Sequence, residues 1–270
     1  MYRTFFRAHG PSEVLTEAAR ADEPGSRFRT GKGCGGAGSS GTGRNSSLLF
    51  SAVRKQRKEV ETMKQKTTVF TEIEPILAAE YGEGQKTLIL EYAQTRFRKL
   101  CDRNDNQSRA VQAHTVARIY PCVALYVALQ CVGISKADAV AFLDRSWSQM
   151  AEKDAEAIRR LLKIPGLYRL MPRMFRWMTV HNFGAKAGFQ AKFYPTDSGR
   201  CKFDMTRCLY CEECRRLGCP ELIVCFCHTD DVTDGHMHPK LIWNRTKIMG
   251  DGADCCDFDL YIHEAGKTGD

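Results

Sequence analysis

The sequence predicts an α+β fold: an N-terminal helical half, then a mostly antiparallel four-stranded sheet with an inserted helical segment. Three observations carry this. Between residues 71 and 180, apolar residues recur at helical spacing. From residue 187 the period shortens to two, in stretches bounded by turn residues. Between the second and third of those stretches, "LYCEECRRLGCPELIVCFCHTDD" returns to a helical pattern, broken at Gly218-Cys219-Pro220. Two hairpins bracketing a helical segment, after a helical half, fit an antiparallel sheet with segregated helices.

In order, Thr71 precedes "EIEPILAAEYG", with acids in the first turn and an early proline, both helix-start signals. "KTLILEYAQTRFRKLC" places Leu88, Tyr92, Phe97 and Leu100 near helical spacing. Ser108 to Val132 reads as one long helix, kinked or split at Pro121. Ser135-x-x-Asp138 caps the next, whose stripe is Val140, Leu143, Trp147 and Met150. Pro165-Gly166 ends it. "LYRLMPRMFRWM" is a short amphipathic helix, its methionines read as packing. "GFQAKFYPT" and "GRCKFDMTRC" form a hairpin. "PKLIWNRTKIM" and "DCCDFDLYIHE" are the last two strands, joined through "GDGA", where Gly250 and Gly252 are expected to supply positive φ.

Residues 63–264 are expected to form one domain, with a helical half at 63–180, a sheet half at 187–264 and a tail at 265–270. Residues 1–62 differ from the rest. They contain the Gly/Ser-rich "GKGCGGAGSSGTGRNSS" and carry a net charge of +5 out of +8 for the chain. They are expected to be disordered or not made. Lys58-Glu59-Val60 can be encoded by a bacterial ribosome-binding sequence just before Met63, the expected start of translation.

The remainder is nearly charge-balanced and shows no groove-reading motif, so nucleic acid is not an expected partner. No apolar run reaches the length of a membrane span, and the first residues lack a secretory core. The 13 cysteines are an odd number in a long chain without an export signal, so free thiols in a reducing cytoplasm are expected.

Four of them fall in "RCLYCEECRRLGCPE": Cys208, Cys211, Cys214 and Cys219, spaced C-x2-C-x2-C-x4-C-P. A ferredoxin run has three residues in its last gap. On a helix, Cys208, Cys211 and Cys214 share one side. A zinc or iron–sulfur site on these four, with Cys225 and Cys227 nearby, therefore stands beside a reading without cofactor. His228, His236 and His238 are further candidate ligands, against an exposed-loop reading of "DGHMHPK".

"FDMTRCLY", "CPELIVCFCHTDD" and "NRTKIMGDGADCCDF" resemble, in order, the motifs of the L-2-amino-thiazoline-4-carboxylic acid hydrolase family. The resemblance runs from about Thr71 to His263. It includes Cys208 and Cys227 but not Cys211, Cys214 or Cys219. It implies a hydrolase that opens a small cyclic amidine carboxylate to N-carbamoyl-L-cysteine, a reaction of cysteine metabolism. That chemistry needs a base for water or a thiolate nucleophile, and a cation for the substrate carboxylate. The matched positions supply Asp204, Asp230, Asp257 and Cys256 as catalytic candidates. Arg207 and Arg245, with Thr206 and Thr246, are the substrate-binding candidates, and Cys208 and Cys227 are motif thiols. Pairing of Asp204 with Arg207, and of Arg245 with Asp257, is the structural alternative. A weaker similarity to 4-vinyl reductase domains implies a metal- or ligand-binding sensor without catalysis.

Overall fold

The computed structural model describes residues 67–263; the expectations for residues 1–62 and 265–270 lie outside them. Helix α1 (Val69–Arg103) runs through a break at Gly82, whose φ of 76° is open to glycine without strain. Its buried stripe is Ile89, Ala93, Phe97 and Leu100, while Leu88 and Tyr92, also at helical spacing, are exposed. Both stripes satisfy helical spacing. The one with the small Ala93 faces α3 (Tyr120–Cys131), against which α1 packs. Helix α3 is apolar on nearly every side and is correspondingly buried. Fully buried side chains such as Ile119, Leu125 and Phe142 each contribute ~1.5–3 kcal/mol.

The expected long helix at 108–132 is divided, but not at Pro121. Helix α2 (Arg109–His114) passes into a π-helical turn, Thr115–Ile119, before α3 begins. Pro121 sits in the first turn of α3, where its missing N–H costs nothing. Helix α4 (Lys136–Leu161) starts as expected, with Ser135 Oγ accepting from Asp138 N at 3.1 Å. Leu143, Trp147 and Met150 are buried along it. Helix α5 (Met171–Asn182) follows.

The sheet holds four antiparallel strands in the order β1-β2-β4-β3: β1 (Gln190–Phe193), β2 (Arg200–Arg207), β3 (Leu241–Asn244) and β4 (Cys256–Ile262). Helices α6 (Leu209–Arg216) and α7 (Ile223–Asp234) lie between β2 and β3 in sequence. Cys201, Phe203 and Met205 of β2 and Cys256, Phe258 and Leu260 of β4 are all buried, on the face where Phe175 of α5 meets Phe203 and Trp243. Helix α7 packs on α4. Among the described residues, no helix is long and apolar enough to cross a membrane.

Candidate active site

Strand alternation sorts the candidate residues. Register pairs Met205 with Cys256, Asp204 with Asp257 and Phe203 with Phe258. Cys256 and Phe258 therefore point inward, and Asp204 and Asp257 point the other way.

On the inner side, Cys256 meets Cys227 of α7. Both are nearly buried, at 5 % and 8 % exposure. Met249 N–H donates to Cys256 Sγ at 3.2 Å. The hydrogen bond from the Cys227 thiol holds the Cys256 thiol below its ordinary pKa; burial opposes this and the Met249 amide adds to it. The same bond, with burial, raises Cys227. The turn that brings Met249 there also brings Gly250 against α7. A Cβ at Gly250 would lie 3.0 Å from Cys227 Sγ and 3.3 Å from Ile223 Cγ2. Of the two glycines, only Gly252 has positive φ, at 93°, and Gly250 serves close approach instead.

Asp230 lies one turn along α7 from Cys227. Burial raises its carboxyl from 3.8 to about 6, with Arg245 opposing and Asp231 adding. The Arg245 side chain is 1 % exposed. Its Nη1 reaches Asp230 at 3.2 Å, and Nη2 donates to Asp231 and to the Cys227 carbonyl at 2.5 and 2.8 Å. Its guanidinium lies over the Phe258 ring, and Nε is buried without a hydrogen-bond partner among the described residues. Arg245 therefore has three partners inside the protein and does not pair with Asp257. It ties β3 to α7 and fixes the α7 turn bearing Cys227 and Asp230.

On the outer side, Asp257 accepts from Thr246 N, Thr246 Oγ1 and Lys247 N at 2.8, 2.6 and 2.5 Å. Burial alone raises its carboxyl; these hydrogen bonds outweigh that and hold it low. Asp257 and Thr246 thus pin the chain leaving β3. Asp204 accepts from Tyr194 Oη at 2.5 Å rather than pairing with Arg207. Arg207 grips Glu212 with two bonds, at 2.6 and 2.9 Å, in solvent. Thr206 Oγ1 donates to the Gln190 carbonyl.

The four clustered cysteines mark the ends of α6. Cys208 is its N-cap residue and Cys211 lies three residues on, in side-chain contact with it. At the other end, Gly218 has φ 75°, Cys219 N–H bonds the Cys214 carbonyl at 2.9 Å and Gly218 N–H bonds that of Arg215. This is a Schellman motif, in which the side chains of the Cys214 and Cys219 positions normally touch. Here they do, thiol to thiol. The alternative ligand set therefore splits into pairs. Among the described residues, no three His, Cys, Asp or Glu side chains converge to hold a metal ion. His228 bonds Asp144, and His236 and His238 lie in the α7–β3 loop.

Three residues near this cluster were not among the site candidates, although Tyr210 closes the FDMTRCLY motif. Tyr210, the second residue of α6, shares its hydrogen bond with His114 Nδ1 at 3.3 Å. His114 Nε2 meets the Asn182 carbonyl at 2.8 Å, so the neutral ring carries its proton there and Nδ1 accepts from Tyr210. Tyr210 feels the charges of Arg118, Cys208 and Asp230. His114 and Arg118 flank and occupy the π turn. Such turns recur at functional sites, and this signal exists only in three dimensions.

The sequence model of L-2-amino-thiazoline-4-carboxylic acid hydrolase matches residues 112–260. No curated protein matches the chain significantly. The matched span begins just before the His114 π turn and ends within β4, so it contains every residue of the inner cluster, and by that match the chain belongs to the L-2-amino-thiazoline-4-carboxylic acid hydrolase family.

Proposed function

We propose that the chain is a hydrolase opening a small cyclic amidine carboxylate, with 2-amino-thiazoline-4-carboxylate as the reference substrate and Cys256 as nucleophile. The observation that carries this reading is the Cys227–Cys256 pair, with the Met249 amide donating to Cys256, beside Asp230. A thiolate stabilised by two donors is the reactive form of cysteine.

In this reading the Cys256 sulfur adds to the ring carbon between sulfur and nitrogen. The carbon–sulfur bond of the ring then breaks, and the released sulfur takes a proton from solvent to become the substrate's thiol. The enzyme is left bonded through Cys256 to an amidinium carbon. Water, losing a proton to Asp230, adds to that carbon. The Cys256 thiolate departs, leaving the carbamoyl group on nitrogen. One water is consumed and one carbon–sulfur bond is exchanged for a carbonyl. A carboxyl at about 6 is mostly ionised near neutrality yet a stronger base than an ordinary carboxylate, which suits it to take the proton from water. Arg118 is the proposed partner of the substrate carboxylate, since Arg207 is held by Glu212 and Arg245 is enclosed. Tyr210 and His114 orient the far side of the site.

The test is thiol release from the thiazoline carboxylate by purified full-length protein, followed with a disulfide dye. Mass spectrometry of acid-quenched protein reads the Cys256 adduct. Release with an adduct on the Cys256 peptide is expected. Release without an adduct in any quench would move the first step from Cys256 to water, and no release would remove the activity.

A further inference from the structure

A cavity of about 700 Å³ opens on another part of the molecule, where the end of α4, the 162–170 loop and the α7–β3 loop meet. It shares no residue with the thiol–carboxylate cluster. Its lining includes Arg159, Lys163, Arg169, Lys240, His236 and His238, and no aspartate or glutamate. Arg159 is paired with Glu152. Lys163 and Lys240 are exposed and pair with no carboxylate among the described residues. The bland account of such cations is that they complement helix C-termini. Two helices end here, α4 at Leu161 and α7 at Asp234. Together they supply about one negative elementary charge, less than the two unpaired lysines alone.

The wall is ordered rather than a loose fringe of side chains. The Tyr168 and His238 rings stack at 4.5 Å with planes 5° apart. Lys240 Nζ lies 5.6 Å from the Tyr168 centroid. Lys240 N–H donates to His238 Nδ1 at 3.1 Å, which places the neutral ring's proton on Nε2 as a donor. Burial, with Lys240, keeps His238 below its ordinary pKa. Leu162 and Met237 are buried behind the cations, and Ile164 stands 54 % exposed at the rim. Mostly apolar walls with a few placed polar groups are the composition of a small-molecule site.

We propose that this cavity binds a small organic anion with two or more negative charges, either a phosphate ester or a polycarboxylate. The cations attract the charged groups, His238 Nε2 donates to one of them, and the apolar wall takes the body of the ligand.

Isothermal titration calorimetry on the full chain tests this with pyrophosphate, AMP and citrate as probes. At least one should bind with a submillimolar Kd at about 0.05 M salt. Raising salt to about 0.5 M shortens electrostatic reach severalfold and should weaken binding at least about tenfold. The Lys163→Glu, Lys240→Glu variant should weaken it at least about tenfold too, and the corresponding alanine pair by less, with circular dichroism unchanged in both. Tighter pyrophosphate or AMP assigns the phosphate class, and tighter citrate the polycarboxylate class. Thiol release by both variants should match the parent, which keeps this site's outcome separate from that of the hydrolase. Absence of binding for all three probes, or binding equal in parent and variants, overturns the proposal.

Discussion

Cys256 and Asp257 are neighbours in the chain, but their side chains leave β4 on opposite faces of the sheet. Cys256 lies against α7, 5 % exposed, with a thiol and an amide donating to it. Asp257 faces away and is occupied by three donors from Thr246 and Lys247. The inner face gathers groups whose proton affinities are pushed away from their ordinary values: Cys256 down, Cys227 and Asp230 up. The outer face gathers carboxylates satisfied by hydrogen bonds within one turn and its neighbours. Shifted affinities of opposed sign in one buried cluster mark chemistry better than satisfied hydrogen bonds do.

The sharpest way to break this contrast is to compare one substitution on each face. Cys256→Ser should lower thiol release by about 10³-fold or more, because the alcohol is not ionised at neutral pH. Asp257→Asn should leave kcat/KM within about threefold while lowering stability by about 1–2 kcal/mol in urea unfolding, through the lost charge-assisted bonds. The reverse pattern would place the chemistry on the outer face.

Next in size is Gly250→Ala. The new methyl must fit 3.0 Å from Cys227 Sγ, tighter than most real Cβ contacts, so the turn or the Cys227 side chain must give by a few tenths of an ångström. Overpacking of this kind costs about 1–3 kcal/mol. Because the same turn carries the Met249 amide, release by the folded variant should fall about tenfold, and alkylation of Cys256 should slow with it. An alanine tolerated with full activity would mean that the turn does not set the thiol pair.

How much of this was legible beforehand follows from the same geometry. The α+β order was readable because period 2 and period 3.6 are both visible in one sequence. Strand alternation also separates Cys256 from Asp257 in principle, yet grouping by motif places them together. Leu88 and Tyr92 against Ile89 and Ala93 shows the other limit. Two stripes fit one helix, and only the partner helix decides which is buried. The contact of Cys227 with Cys256 joins residues 29 apart through a turn, and the π turn holding Arg118 has no period of its own. Neither could be read from spacing. The four-cysteine run misled for a physical reason, since thiols at a helix N-cap and in a Schellman contact fall at intervals that resemble a ligand set.

Asp230 gives a pH test of moderate size. Its folded carboxyl titrates at about 6 against 3.8 for the free group. The ionised form is thus disfavoured in the fold. Its cost is absent below the free value, grows as pH rises from about 4, and is complete above about 6. Asp230→Asn should flatten that part of the stability curve. In catalysis the sign reverses. If Asp230 takes the proton of water, kcat/KM should rise with pH through about 6, and the asparagine variant should lose that limb along with most of its rate. A limb that survives in Asp230→Asn would belong to another group.

The smallest expected effect is at Arg207. It sits in the motif beside Cys208, where sequence favours a substrate clamp. Yet its side chain is 55 % exposed and already bound to Glu212. An exposed pair of this kind is worth ~0.2–1 kcal/mol, and its loss is screened by salt. Arg207→Ala should therefore shift stability by no more than about 1 kcal/mol and leave KM for the thiazoline carboxylate unchanged within twofold. Arg118→Ala should raise KM severalfold with little effect on unfolding. A KM effect at Arg207 and none at Arg118 would transfer the substrate carboxylate to the open end of β2, and with it the approach to Cys256.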